Sequence, residues 1–536
     1  MTSTLLRYWH TLRYLKPVQV YGRVRFRVAR PVPDLRPAPP RRVFTGTWRT
    51  PPRRPATLLA PSRVHLLNQT RDLHGAAAWS AADVPRLWLY NLHYFDDLAS
   101  AADAEHDLWQ RALLERWIAE NPPAQGPGWE PYPTSLRIVN CIKWIAGGAA
   151  AVAGLDASLA VQARWLSRRI EHHLLANHLF VNAKALCIAG LYFDGDEAAA
   201  WRQTGLDILA RELPEQVHED GGHFEASPMY HALFLEDLLD LINVAALAPA
   251  LIPNDTVLSW RESASRMLSW LGAMTHPDGE ISFFNDAAIG IAPPLASVQH
   301  YATALGVSAA SLMPADSGYV RATRGPATLL IDAAPVGPDY QPGHAHADTL
   351  SFELSLGAQR VLVNSGTSTY APGPQRDAER STLAHNTVTI NGLNSSDVWG
   401  GFRVARRARA RQLRRIDHAG TPFVLTASHD GYASERGRPI HERTFELSPD
   451  RLVVIDRCAG TRSAVARFHL HPSVIDDGAG ALRCADGRQV RWQAEGGSTR
   501  LVASQWYPEF GMAVASLCLE VTLTGPECRT EFEWDA

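Results

Sequence analysis

The chain has 536 residues, 46% hydrophobic and 20% charged, with a formal net charge of −3. That length suits two or three domains with large apolar cores, and the near-neutral balance gives no global reason to bind nucleic acid or an anionic surface. The cations are lopsided, three lysines (Lys16, Lys143, Lys184) against 49 arginines, and arginine suits bidentate contact with carboxylates and sulfates.

Met1 to Arg30 is basic and amphipathic, with Leu5, Leu6, Tyr8, Trp9, Leu12, Tyr14 and Leu15 interrupted by arginines. It has no continuous apolar core and no small-residue cleavage site, so no signal peptide is expected. Cytoplasmic residence is the expectation, with the periplasm as the alternative if export uses another route. No apolar run approaches the ~20 residues needed to span a bilayer. The six cysteines are scattered without a CxxC pair, which argues against a zinc knuckle and requires no disulfide.

Residues 31–63 are rich in Pro and Arg and read as an extended linker or wrapping arm. From about 80 to 310 the apolar spacing is near 3.6, as in 108–118, 135–153, 159–175, 204–213 and 230–247, with Gly/Pro/Asn/Asp loops between. Repeated helical hairpins of this size suggest an α/α toroid. After about 315 short alternating runs take over, at 318–322, 327–331, 387–390, 451–455, 466–470, 490–492 and 519–523, spaced as in a β-sandwich. The expected organisation is therefore α+β: an arm and linker over 1–80, an (α/α) toroid over 81–314, and an antiparallel β-sandwich over 315–536.

The densest polar motif is Gly343-His344-Ala345-His346-Ala347-Asp348, followed by Asn364 and by Ala384-His385-Asn386. Alternate strand residues share a face, so His344 and His346 are expected side by side on a strand. Imidazoles serve both proton transfer and zinc ligation; a hydrogen-bonded pair with neither role is the plain alternative. Three more polar clusters lie in the helical half: Trp129-Glu130-Pro131-Tyr132 through Arg137 to Asn140, Asn177-His178 through Asn182, and His223-Phe224-Glu225 through Tyr230-His231.

Together with the helical-then-β order, these motifs resemble the heparinase II/III-like polysaccharide lyases, a group that includes heparin/heparan sulfate lyases and some alginate lyases. The resemblance runs from about Tyr90 to about Phe445. It implies a toroid packed on a β-sandwich with an acidic polysaccharide in the cleft between. Asn177 and His178 match the Asn-His pair facing the substrate carboxylate, Tyr230 the catalytic tyrosine, and His344 the catalytic histidine. His346, Asn364 and His385 fall where the family binds a metal, usually zinc. The middle ligand there is normally an aspartate, so Asn364 has one negative charge fewer.

The implied chemistry is β-elimination of a 1,4-linked uronate to a 4,5-unsaturated end. Removing the C5 proton builds charge on the carboxyl group, so hydrogen-bond donors there do the largest electrostatic work. Asn177 is a fitting donor, with His178 or Arg137 assisting. Tyr230 as phenolate, or His344, would take the proton, and Tyr230 could protonate the leaving O4. Trp129, His223 and Glu225 are further candidates for substrate contact. Each has a structural alternative: Tyr230 as a packing residue at a helix start, Asn177 as a helix-end amide, Arg137 as a salt-bridge partner, Trp129 as core. Rival functions are a uronate C5-epimerase on the same fold, an α/α-toroid glycoside hydrolase, and a non-catalytic glycan-binding protein of a polysaccharide biosynthesis pathway.

Overall fold

In the computed structural model, which describes residues 4–101, 103–311, 317–461 and 463–535, helix Ala176–Tyr192 forms the centre of the first half. All of its residues except His178 are buried, as expected of a helix apolar on every side. It packs against helix Asp196–Gln216 so closely that a Cβ on Gly205 would lie 2.6 Å from the Ala183 carbonyl, and one on Gly190 2.4 Å from that of Ala198. Only glycine permits that approach. Helices Pro131–Ala146 and Pro228–Leu247 flank the pair, with Ala104–Glu120, Leu155–Arg168, Asn254–Ala273 and Leu295–Ala304 around them.

Each expected helical segment overlaps an observed helix, but several ends differ: Asp196–Gln216 begins well before residue 204, and Ala176–Tyr192 is not among the expected segments. The segment expected to run 135–153 ends at Ala146, because Gly147-Gly148 follow. The 159–175 segment ends at Arg168, and the intervening turn leads to Leu175 and Ala176, both at positive φ. Within the expected arm-and-linker region over 1–80, Leu58–Ala60, Arg63–Leu66 and Gln69–Asp72 form a small antiparallel sheet. The expected boundary at 314/315 lies outside the described residues.

From Tyr319 onward the chain is mainly antiparallel strand. An eight-stranded sheet has its central strands Phe423–His429, His441–Leu447, Arg451–Cys458 and Glu527–Trp534 side by side. Two four-stranded sheets accompany it, one built from Tyr319–Arg324 to Gln359–Leu362 and one centred on Ala464–His469 and Val514–Leu523. All three feed one apolar core that includes Leu329, Phe352, Phe445, Phe468, Leu519 and Phe532. Phe352–Leu356 and Gln359–Leu362 form an antiparallel hairpin within the first of the four-stranded sheets.

Gly343–Asp348, however, is a loop rather than a strand. Its backbone groups go to partners outside any ladder. The His344 carbonyl accepts from the Asp286 N–H at 3.0 Å, the His346 N–H donates to Asn285 Oδ1 at 2.8 Å, and the Ala345 carbonyl takes the buried Arg380 guanidinium. The loop is thus laced to residues 285–286 of the helical half. Buried bonds between His276 and Glu353 (2.8 Å) and between Ser317 and Asp220 (2.6 Å) fix the same interface.

Candidate active site

Ser227 caps helix Pro228–Leu247 by accepting from the Tyr230 N–H at 3.2 Å, with Pro228 preset for the first turn. Tyr230 therefore stands at the helix entrance. Its ring stacks on His344 with centroids 3.8 Å apart, and its hydroxyl lies 3.0 Å from that of Tyr370. Burial first, then Tyr370 and Tyr132, raise the Tyr230 pKa well above that of an ordinary phenol.

His344 Nδ1 is 3.0 Å from Asp286 Oδ2, and His346 Nε2 is 2.8 Å from Asp286 Oδ1. The guanidinium of Arg376 grips the same carboxylate with two nitrogens and donates to the Gly401 carbonyl. Burial opposes ionisation of Asp286, but Arg376 and the two histidines outweigh it and hold the carboxyl well below its usual range. An ionised carboxylate only accepts, so His344 carries a proton on Nδ1, and its Nε2 lies 3.5 Å from Glu225 Oε2.

Asn177 sits in the first turn of helix Ala176–Tyr192. Its N–H and Nδ2 reach the two oxygens of Glu225 at 3.2 and 3.3 Å, the charge a helix N-terminus favours. His178, the one residue of that helix left partly open, rests against Tyr132 and lies 3.2 Å from Glu171. Burial pulls its pKa down, but the Glu171 carboxylate prevails and raises it. Tyr230, His344, Asn177, His178 and Glu225 are thus brought together at the seam of the two halves.

Three expected substrate contacts are not. Arg137 is buried, its guanidinium spent on Gln162 and the carbonyls of His93 and Gly128 and stacked on Trp117; burial lowers its pKa to about 9. Trp129 is core, with Nε1 donating to the Asn121 carbonyl. His223 is buried against Phe234 beside Gln216. All three lie on helix or loop faces that turn inward, which short motifs do not reveal. Glu225 is in the site, yet buried and engaged by Asn177.

The expected metal ligands divide. His346 Nε2–H is spent on Asp286, and His385 Nδ1–H on the Ser381 carbonyl at 2.8 Å. Their remaining nitrogens, His346 Nδ1 and His385 Nε2, face each other at 3.1 Å. Two lone pairs at that distance repel unless a cation lies between, so the pair fits a metal ion. Asn364 fits poorly as the third ligand. Its oxygen accepts from the Asn386 N–H at 3.0 Å, and its Nδ2 is 3.4 Å from Ser351 Oγ. Among the described residues no cluster of three His, Cys, Asp or Glu side chains is arranged to hold a metal.

Tyr370 and Arg376, from the 366–380 segment, enter the site without any motif to announce them. Asp286 follows Phe283-Phe284-Asn285, a polar pair after apolar residues, and that is the only local signal it carries.

A heparinase II/III-like C-terminal domain model matches residues 308–535, and a heparinase II/III N-terminal model residues 149–305. The heparin-sulfate lyase of Bacteroides stercoris is 27% identical over 320 residues, covering 55% of this chain and 45% of that protein. The heparin-sulfate lyase of Pedobacter heparinus is 24% identical over 347 residues, covering 59% and 48%. The chain thus matches about half the length of these curated relatives. Among solved structures, heparinase III superposes with a TM-score of 0.67 at 17% identity, over 85% of this chain and 79% of that one. Heparan sulfate lyase HepC from Pedobacter heparinus gives 0.56 at 18%, over 89% and 81%. The two matched domain models, adjacent and in the same order as the helical and β halves, make the chain a member of the heparinase II/III-like family.

Proposed function

We propose that the protein is a polysaccharide lyase that cleaves a uronate-containing acidic polysaccharide by β-elimination, its helical half an arc of an α/α toroid and its strand half a β-sandwich. The observation that carries this reading is the Tyr230–His344 stack at 3.8 Å, a proton donor and a proton acceptor in contact across the interdomain seam. With Asp286 holding its Nδ1 proton, His344 offers Nε2 to take the C5 proton. Tyr230, whose pKa is raised by burial, keeps its proton at neutral pH and is suited to give it to the departing O4. The proton balance closes: one leaves C5 to His344, one leaves Tyr230 to O4, and the electrons form the C4–C5 double bond.

The growing charge on the carboxylate falls to Asn177 and His178. Glu225 fixes the Asn177 amide by one Nδ2 hydrogen and leaves the other for substrate. The raised pKa of His178 suits it to pair with the carboxylate as a cation. Arg137 has no part, since its donors are spent in the core.

A divalent ion, zinc by the family resemblance, would be held by His346 Nδ1 and His385 Nε2, and when bound would supply positive charge that braces the loop carrying His344. The six cysteines are all buried and unpaired, which suits action in the reducing cytoplasm. Since two relatives are named heparin-sulfate lyases, heparan-type glycans belong in a substrate panel alongside alginate and other polyuronates. Ultraviolet absorbance appearing with one of them, and absent from Tyr230→Phe, supports the proposal; no rise with any member contradicts it.

A further inference from the structure

The first two helices of the chain leave apolar stripes facing outward. In Thr4–Leu12, Arg7 pairs with Asp397, Tyr8 meets the Trp399 ring edge-on, and Thr11 accepts from Trp399 Nε1. That face rests on the β half. At helical spacing on the other side stand Leu5, Trp9 and Leu12, exposed by 82%, 62% and 54%. In Pro17–Val28, Gln19 bonds to the Tyr340 carbonyl and Phe26 packs on His173 and Arg169. Opposite them Val20, Val24 and Val28, at i, i+4 and i+8, are exposed by 56%, 59% and 75%, next to exposed Tyr21.

The charge of this segment is one-sided. Residues 4–30 hold seven cations and no acid, against −3 for the chain as a whole. Arg7 and Lys16 turn inward to Asp397 and Glu215, while Arg13, Arg23, Arg25, Arg27 and Arg30 remain exposed. Beneath the second helix lies a cavity of about 250 Å³, lined by Tyr21, Arg25, Phe26, Arg168, Arg169 and His172 among others, with no carboxylate in its lining. Helices with an outward apolar stripe, aromatic residues at its edge and flanking arginines fit the headgroup boundary of a bilayer. No helix among the described residues is long and apolar enough to cross one.

We propose that this N-terminal helix pair docks the protein on an anionic phospholipid surface. Leu5, Trp9, Leu12, Val20, Val24 and Val28 enter the headgroup region, the exposed arginines meet lipid phosphates, and the basic cavity receives one headgroup. The pair touches both halves of the molecule, so docking would hold the interdomain cleft near the membrane. Docking of this kind does not depend on the proposed reaction, and vesicle binding can be measured without substrate.

The full chain is co-sedimented with phosphatidylcholine vesicles, with and without phosphatidylglycerol. Binding is expected only to the phosphatidylglycerol vesicles, and should be released at high salt as charge attraction is screened. Each cation near such a surface is worth about fivefold in partitioning. The double variant Arg23→Gln/Arg27→Gln should therefore bind about 30-fold more weakly, and Trp9→Ser/Val24→Ser should weaken binding through the apolar stripe. These side chains are exposed, so the melting temperature of each variant should stay at the wild-type value. The proposal is overturned if the wild-type protein stays in the supernatant, binds neutral and anionic vesicles alike, or binds as well with both arginines replaced. Sedimentation velocity adds a further check. A wild-type dimer dissociated by Trp9→Ser/Val24→Ser, with no vesicle binding, would assign the stripes to a second copy of the chain and refute the lipid.

Discussion

Replacing Tyr230 with Phe deletes one oxygen from the proposed acid and leaves its ring in place. The ring makes the 3.8 Å stack on His344, and the hydroxyl makes the 3.0 Å contact with Tyr370, so the two contributions separate cleanly. Losing one hydrogen bond should cost about 0.5–1.5 kcal/mol of stability, a small change in melting temperature for a chain of this size. Losing a positioned general acid should cost ~10²–10⁴-fold in kcat, or about 3–5 kcal/mol of barrier. KM should change by less than about fivefold, because the Tyr230 ring keeps its place on His344 and only one hydrogen bond is at stake. Initial rates from ultraviolet absorbance, with melting followed by circular dichroism, measure both. A kcat within threefold of wild type would refute the assignment of Tyr230 as proton donor. A large loss of stability would instead make the hydroxyl structural.

Asn177→Ala should lower kcat/KM by ~10²-fold or more as a preorganised donor to the developing charge is lost, and by much less on a methyl-esterified substrate; equal losses would make Asn177 structural. Because Glu171 raises the His178 pKa, the cationic form persists to higher pH than in a free histidine. kcat/KM should therefore fall on the alkaline side as His178 deprotonates, and His178→Gln should flatten that limb in a pH–rate profile. Asp286→Ala leaves the buried Arg376 guanidinium unpaired and should destabilise the fold by about 3–5 kcal/mol, read by denaturant unfolding. Elemental analysis should find about one divalent ion per chain, lost in His346→Ala together with thermal stability, whereas Asn364→Asp should bind it more tightly; an ion-free protein whose melting is indifferent to His346→Ala would reduce His346 and His385 to a hydrogen-bonded pair.

Much of the fold was legible because both halves carry strong periodic signals. The 3.6-residue spacing located helices such as Ala104–Glu120 and Pro228–Leu247, and alternation located strands such as Arg451–Cys458. Helix Ala176–Tyr192 was harder to read, since a helix buried on every side has no polar face to mark its period. Strand Ala410–Ile416 fails for the opposite reason: its seven residues include three arginines and lie mostly in solvent.

In the site, Tyr230, His344, Asn177 and His178 stand at one seam of the two halves, with His344 on a loop rather than a strand. The strand reading treated side-chain alternation as sufficient, whereas a strand also needs a partner ladder, and here residues 285–286 and Arg380 consume the backbone groups. Arg137 and His223 looked available because sequence gives no burial. Asp286, Tyr370 and Arg376 are distant in sequence from one another and from the motifs they support, and only the packing of the two halves brings them to His344 and Tyr230.

In the proposed reaction the Tyr230–His344 pair carries a uronate through β-elimination. The most direct measurement is proton NMR of the product formed in deuterium oxide from whichever polyuronate the enzyme consumes. A new vinylic H4 resonance on a 4,5-unsaturated non-reducing end is expected, growing in step with chain cleavage and missing with Tyr230→Phe. Deuterium at C5 of an intact chain, or cleavage that yields only saturated ends, would contradict β-elimination.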